Sequence, residues 1–233
     1  MPYIAGLHLT PAQQVETVVG IATVAWLADT FAKIRGALNK ADSEGGRIIA
    51  MPSQWLARAS ATIHWTATAA PAVIHVVLLT LNGMKKPPSY EAMDLPEVKM
   101  LHGYGEDPTD SMNNIRTVAA VGILLSFLVQ QWILNTLGKQ FHFIGPREKA
   151  QIVSDGPYGY VRHPLYSLLV VQAVLCTFAY WSWLPVYSLI IVLLSFFYKI
   201  PIEEQLILDD PKVGKAYAEY KEKVRYRIIP GVW

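Results

Sequence analysis

Long apolar stretches separated by shorter polar segments are the main feature of this chain. Three of them cover about residues 13–34, 59–81 and 115–137. A helix of about 20 apolar residues crosses the roughly 30 Å hydrocarbon layer of a bilayer. Each stretch is therefore predicted to form a membrane-spanning helix.

Two shorter apolar stretches, at about 164–181 and 183–199, follow with almost no polar residue between them. They predict a helical hairpin whose Trp-Ser-Trp tip at 181–183 lies at a membrane interface, where tryptophan is enriched. The whole pattern predicts an all-α integral membrane protein with about five transmembrane helices. Residues 1–136 would form the first three spans, and residues 137–233 a second region with the hairpin and a polar tail.

The polar connection at residues 83–114 is predicted to be a loop with at most short helices. Its acidic residues lack the fixed spacing of a metal-binding loop, so we interpret it as a solvated loop and expect no metal. These acids are Glu91, Asp94, Glu97, Glu106, Asp107 and Asp110.

The distribution of charge predicts how the helices are oriented. Lysine and arginine are frequent between the first two spans, between the third and the fourth, and in the tail, whereas the connection at 83–114 is rich in acids. Cytoplasmic loops carry an excess of basic residues, so the amino terminus is expected outside and the carboxyl terminus in the cytosol. This topology brings residues 156–166 and the pair Glu203-Glu204 to the same, cytosolic, face.

The composition agrees with a membrane protein and excludes several other classes. Of the 233 residues, 52% are hydrophobic and only 16% are charged, which is unlike an ordinary soluble domain. A net charge of +2 with no long basic run gives no indication of nucleic-acid binding. The single cysteine, Cys176, lies in an apolar stretch, so no disulfide framework or cysteine-based metal cluster is expected.

Two histidines, His64 and His75, lie in the second predicted span. They are eleven residues apart in the sequence, about three helical turns, and therefore share a face of the helix. Such a pair could bind a metal or haem. Since no third ligand is evident, we interpret both as hydrogen-bonded interior residues.

The run Gly-Pro-Tyr-Gly-Tyr-Val-Arg-His-Pro-Leu-Tyr at residues 156–166 combines turn-forming residues with the start of an apolar stretch. It predicts a bend at its glycines and a new helix beginning at Pro164, because proline suits the first helical position. Arg162 and His163 would then lie at the mouth of this helix. A helix amino terminus favours an anionic group such as a carboxylate.

The pair Glu203-Glu204 comes one apolar span later and would face this run. Two carboxylates there suit a ligand that carries an amine or a sulfonium. Alternatively, they only begin an interfacial helix after Pro201, where acids favour the helix dipole. The tyrosines and Arg162 of the run could likewise be interfacial anchors.

Taken together, these features resemble a known family. The run at 156–166, the hairpin, Glu203-Glu204, Tyr-x-x-Tyr at 217–220 and Arg-x-x-Pro at 227–230 are similar to the isoprenylcysteine carboxyl methyltransferases and their relatives, which include phospholipid N-methyltransferases. The resemblance covers about residues 137–233. It implies a membrane enzyme that binds S-adenosylmethionine in a cytosolic pocket of the C-terminal half and receives a lipid substrate from the bilayer.

The resemblance also implies roles for individual residues. Glu203 would hold the amine of the cofactor, and Lys199 or Arg162 would orient the carboxylate of the substrate. Relatives that methylate a carboxylate have an arginine at the position of Lys199, so this chain keeps the charge but loses the bidentate fork. The residues expected to bind the cofactor are Gln151, Ile152, Val153, Tyr158, His163, Pro164, Leu165, Tyr166 and Glu203.

The function implied is S-adenosylmethionine-dependent methylation of the C-terminal carboxylate of prenylated cysteine, a step of CaaX processing at the endoplasmic reticulum. The expected partners are prenylated protein C-termini or a lipid-like substrate and the membrane. One alternative is an amino-lipid N-methyltransferase, in which His163 would be a candidate base. Others are an NADPH enzyme similar to sterol reductases, whose tail resembles residues 220–230, and a non-catalytic membrane protein.

Overall fold

The protein is described by a computed structural model that covers residues 3–4, 7–8, 10–96, 108–142 and 144–233. It is an all-α structure apart from one pair of two-residue antiparallel strands, β1 (Tyr3–Ile4) and β2 (Leu7–His8). The described helices are α1 (Pro11–Glu44), α2 (Trp55–Leu81), α3 (Pro88–Glu91), α4 (Pro108–Leu137), α5 (Pro164–Tyr180), α6 (Leu184–Leu208) and α7 (Gly214–Lys223).

The prediction of an all-α integral membrane protein is confirmed. Four of the helices, α1, α2, α4 and α6, are long and apolar enough to cross a membrane. The fifth predicted span, α5, is apolar but has only 17 residues. Many large apolar side chains point outward, as expected of surfaces that face lipid; Phe31, Leu128 and Leu194 are each more than 60% exposed.

Several helices extend beyond the predicted spans. Helix α1 continues ten residues past residue 34 and ends at Glu44, because charged side chains end an apolar stretch without ending a helix. Helix α6 likewise continues through Pro201 to Leu208 rather than ending near residue 199. Lys199 and Glu203 are consequently one helical turn apart on the same face.

The connection at 83–114 was predicted to be a loop with at most short helices, and the four-residue helix α3 agrees with this. The predicted end of the connection was wrong, because its last residues belong to α4, which begins at Pro108. The predicted loop acids Glu97, Glu106 and Asp107 lie outside the described residues.

The helices pack in a defined order. Helix α4 lies against α1 and α5, α2 lies against α6, and α5 and α6 form the predicted hairpin. Small residues such as Ala22, Ala72 and Ala120 are buried where helices meet, which lets their backbones approach closely. At the hairpin tip only Trp183 is well exposed, and the position of the tip at a membrane interface stays a prediction. Trp181 is buried, and its indole N–H donates to the carbonyl of Leu95 at 3.0 Å.

A group of polar side chains is buried near this hairpin tip, and we call it the distal cluster. Arg116 Nη2 lies 2.7 Å from Glu16 Oε2, and Arg116 Nε donates to the carbonyl of Ala179. His75 stacks on Tyr180 with ring centroids 4.1 Å apart. His75 is thus a packed interior residue, as predicted. The full cluster is Glu16, His75, Lys86, Tyr90, Asp94, Arg116 and Tyr180.

Candidate functional site

An open pocket lies at the other end of α5 and α6, where both meet α7 and the segment after α4. Its empty volume, which includes space open to solvent, is about 870 Å³. We call it the α5–α7 pocket. Its lining includes every residue predicted to bind the cofactor, namely Gln151, Ile152, Val153, Tyr158, His163, Pro164, Leu165, Tyr166 and Glu203, and also Arg162.

The run at 156–166 folds as its residues predict. A short 3-10 turn spans Gly156–Gly159, and Gly156 has a φ of +52°, a conformation that favours glycine. Helix α5 begins at Pro164. Between them, the backbone N–H groups of Arg162 and His163 donate to the carbonyls of Tyr226 and Arg227. The run is therefore tied to the tail of the chain.

Glu204 belongs to an ion cluster that joins the run at 156–166 to the tail of the chain. Its carboxylate is 1% exposed and lies 2.7 Å from Arg162 Nε, 3.1 Å from Arg227 Nη2 and 3.4 Å from His163 Nε2. Lys221 Nζ, a third permanent cation beside the two arginines, lies 3.5 Å from the carboxylate. The anion predicted at the mouth of α5 is thus Glu204 itself.

Arg162, predicted to orient a substrate carboxylate, makes structural contacts in addition to lining the pocket. Besides Glu204, its guanidinium donates to the carbonyls of Val224 at 2.7 Å and Arg225 at 2.8 Å. These bonds fix the tail against the start of α5. Its role toward a substrate stays a prediction.

Glu203, the neighbouring acid, is arranged differently. Its carboxylate lines the α5–α7 pocket and accepts a hydrogen bond from the Tyr166 hydroxyl at 3.1 Å. The nearest nitrogens are His142 Nδ1 at 3.6 Å and Lys199 Nζ at 3.9 Å. Glu203 is therefore a buried carboxylate with no direct ion pair as close as those of Glu204, beside open space.

Lys199 lies behind Tyr166 rather than in the pocket lining. Its ammonium is 1% exposed and donates to the Tyr166 hydroxyl at 2.5 Å. Because an ammonium can only donate, the Tyr166 oxygen accepts from Lys199 while its own proton goes to Glu203. The Tyr166 ring is held by stacking on Phe196 at 4.3 Å and on His163 at 5.4 Å. A fixed hydroxyl thus joins a buried cation to the pocket carboxylate.

The pocket also contains residues to which the sequence analysis assigned no role in binding. His142 follows α4 and faces Glu203; burial lowers the pKa of its imidazole, although the charge of Glu203 opposes this shift. Tyr217 and Tyr220 come from α7, and the Tyr220 hydroxyl donates to the carbonyl of Tyr158 at 2.7 Å. Burial raises the pKa of both α7 tyrosines, so they stay neutral. Their signal in the sequence was the Tyr-x-x-Tyr motif at 217–220, one of the features that carry the family resemblance.

Chemically, this arrangement suits a small ligand with a cationic group and an apolar or aromatic body. Glu203 offers a buried carboxylate to the cation. Tyr158, Leu165, Ile207 and Tyr217 supply apolar and aromatic surface around it. The fold and the site together define a helical membrane protein with a ligand pocket at one end of its helix bundle, and this pocket contains a buried carboxylate.

The comparison with protein families narrows this class. Residues 115–210 match the model of the phospholipid methyltransferase family, described as "Phospholipid methyltransferase". The matched region runs from α4 to the end of α6 and includes Lys199, Glu203 and the run at 156–166. It supports methyl transfer at a membrane as the general activity. A comparison with curated proteins found no significant match.

Proposed function

We propose that this protein transfers the methyl group of S-adenosylmethionine to the C-terminal carboxylate of prenylated cysteine, as a protein-S-isoprenylcysteine O-methyltransferase. One observation carries the choice of acceptor. Lys199 is a fully buried cation next to the pocket carboxylate, and among the described residues Tyr166 is its hydrogen-bond partner. Its remaining N–H donors suit an anionic acceptor group.

The pocket residues fit the proposed cofactor. Glu203 would hold the α-ammonium group, since it combines burial with a free approach from the pocket. Tyr158, Tyr217 and the aliphatic side chains around them would contact the adenosine portion. S-adenosylmethionine supplies a methyl group activated by a sulfonium charge. The protein's part is to bind and orient both reactants and to exclude water.

A carboxylate acceptor requires no general base, because it is already ionised at neutral pH. Its oxygen forms the bond to the methyl carbon while the bond from that carbon to sulfur breaks, so the negative and positive charges cancel. A water-poor site favours such a reaction, provided that the acceptor is aligned. Lys199 would provide the alignment by hydrogen bonding to the carboxylate.

An apolar groove between α1 and α2 offers a place for the prenyl chain. It is lined by Trp26, Phe31, Trp65 and Val73 among others and has an empty volume of about 1010 Å³. Trp65 also packs against the cluster that contains Tyr166 and Phe196. In this proposal the pocket faces the cytosol, in the membrane of the endoplasmic reticulum, and the basic loops lie on that side.

A second candidate is favoured by the description of the matched family, which names phospholipids. In that case the acceptor would be the amine of a phospholipid head group. An amine must lose a proton in the course of methylation, so a base would be needed. His163 lines the pocket but has Glu204 3.4 Å from its Nε2.

The test is the transfer of labelled methyl from S-adenosylmethionine to N-acetyl-S-farnesylcysteine and to phosphatidylethanolamine in membranes that contain the protein. We expect base-labile label on the farnesylcysteine, lost in Glu203→Gln and retained in the exposed control Glu219→Gln. Base-stable label on phosphatidylethanolamine alone would establish the second candidate. Absence of label on both acceptors would contradict the proposed methyl transfer to these substrates.

A further inference from the structure

His64 is a buried histidine of α2, a helix outside the residues matched by the family model. It is 0% exposed. Its Nδ1 lies 2.8 Å from the carbonyl oxygen of Ser60. A carbonyl can only accept a hydrogen bond, so Nδ1 carries the proton, and Nε2 of the neutral ring presents a lone pair.

Among the residues that the structure describes, this lone pair has no partner. His64 Nε2 is buried and makes no hydrogen bond with any residue that the structure describes. Buried polar atoms in folded proteins are almost always hydrogen bonded, and an exception requires an explanation. A donor supplied by a bound molecule is one such explanation.

The surroundings of His64 indicate which molecule could supply that donor. Its ring packs edge-on against Tyr166 with centroids 5.8 Å apart, and 5.2 Å from the ring of Phe196. The hydroxyl of Ser195 donates to the carbonyl of Ser60 at 3.1 Å, which fixes this part of α2 on α6, one turn before Lys199. His64 and Lys199 therefore both border Tyr166, and neither of them lines the α5–α7 pocket.

We propose that His64 is a specificity residue whose Nε2 accepts a hydrogen bond from the acylated N–H group next to the acceptor carboxylate. This inference rests on the proposed function, because it assumes a C-terminal cysteine with its carboxylate at Lys199. The amide nitrogen and the carboxylate of such a residue are attached to the same carbon. One acceptor molecule thus presents an anion and an N–H donor side by side.

A role as hydrogen-bond acceptor fits this position better than a role as base. A base would become an imidazolium in a buried place close to the ammonium of Lys199, and two neighbouring buried cations are unfavourable. Accepting an N–H bond adds no charge. A site built to bind an N–H group discriminates strongly against an analogue that lacks it, since its own acceptor is then left unpaired.

The experiment compares two acceptors with the full-length protein. N-acetyl-S-farnesylcysteine has the acetamido N–H, whereas S-farnesyl-3-mercaptopropionic acid has the same farnesyl thioether and a carboxylate without it. We expect the wild type to prefer the first by about tenfold in kcat/KM. His64→Leu should bring this ratio close to one by slowing methylation of the first compound.

Two further variants make the result specific. His64→Gln can place a side-chain carbonyl oxygen near the position of Nε2 and should keep a several-fold preference, and it decides the matter if His64→Leu does not fold. His75→Leu is the matched control, because His75 is equally buried on the same face of α2 but belongs to the distal cluster. It should leave the ratio unchanged.

The outcomes separate this inference from the proposed function. Wild-type methylation of both acids with a ratio that His64→Leu does not change would overturn the role of His64 alone. Equal loss of both rates would do the same, since it indicates a structural role. If the wild type methylates neither acid, both the proposed function and this inference are wrong.

Discussion

The α5–α7 pocket and the distal cluster lie at opposite ends of α5, about 25 Å apart for a helix of this length, and both contain buried charges. In the distal cluster Arg116 and Glu16 are in direct contact at 2.7 Å. At the pocket, Lys199 and Glu203 are 3.9 Å apart, and the Tyr166 hydroxyl bonds to both. Buried charge alone therefore does not indicate a ligand site. Hydrogen-bonding capacity left beside an open cavity does.

Glu203 and Glu204 repeat this contrast between adjacent residues. Glu204 is surrounded by Arg162, Arg227, Lys221 and His163 and fixes the tail. Glu203 is turned toward the pocket. Successive residues of a helix point about 100° apart, so one of the two can be structural while the other remains available to a ligand.

The largest effect is expected in the distal cluster, where we predict Arg116→Met to reduce stability without changing the chemistry. Removing one partner of a buried ion pair costs about 3–5 kcal/mol, because the other charge is left uncompensated. Thermal unfolding of the purified protein in detergent measures this loss. Methyl transfer per folded molecule should stay within about twofold. A stable variant without activity would show that the distal cluster takes part in function.

The next prediction concerns the two glutamates. Glu203→Gln should weaken binding of S-adenosylhomocysteine by about a hundredfold, since a charge-assisted hydrogen bond to the ligand amine is lost, and should leave the unfolding temperature nearly unchanged. Glu204→Gln should do the opposite and mainly destabilise the tail. Calorimetric binding and thermal unfolding on both variants test this. If the two substitutions had similar effects on binding and on unfolding, the assignment of Glu203 to ligand binding and of Glu204 to structure would be wrong.

Tyr166→Phe should allow Lys199 and Glu203 to make a direct ion pair, like that of Arg116 with Glu16 in the distal cluster. Without the bridging hydroxyl, Lys199 can approach Glu203 and compete with a ligand cation. We expect binding of S-adenosylhomocysteine to weaken by about tenfold. Tyr187→Phe, at an exposed tyrosine of α6, is the control. Unchanged binding in Tyr166→Phe would mean that the hydroxyl does not keep the two charges apart.

Much of the pocket could be predicted from the sequence, because its signals are local. The glycines and Pro164 determine the turn and the helix start, and the short hairpin connection brings Glu203 back to them. The helix ends could not be predicted from apolar stretches, since α6 continues through the polar residues 203–205 to Leu208. Hydropathy marks where a helix leaves the membrane rather than where it ends.

Contacts that distant segments of the chain make with the site could not be predicted from the sequence. His64 reaches Tyr166 only through the packing of α2 on α6, which no local pattern encodes. The ion pair between Arg162 and Glu204, which are 42 residues apart in the chain, had no signal in the sequence either. Contacts between distant segments depend on how helices pack, and one sequence contains little information about that.

The smallest predicted effect is a pH dependence that depends on His142. The charged groups around it are Glu203, Lys199, Arg147 and His163, and burial is the main reason why its pKa is below the usual value. A lowered pKa means that His142 is neutral at pH 7 and gains a proton only below about pH 6.5, the usual value for histidine. Protonation would then place a second cation 3.6 Å from Glu203, in competition with the ligand amine.

By linkage, a ligand that prefers neutral His142 binds less tightly as the pH falls through the pKa of that histidine. The affinity for S-adenosylhomocysteine should therefore be constant from about pH 8 to 6.5 and decrease at lower pH as His142 gains its proton. In His142→Gln this decrease should be absent, because the amide does not titrate. A decrease that begins above pH 6.5, or one that persists in His142→Gln, would assign the titration to another group and leave Glu203 without competition from His142.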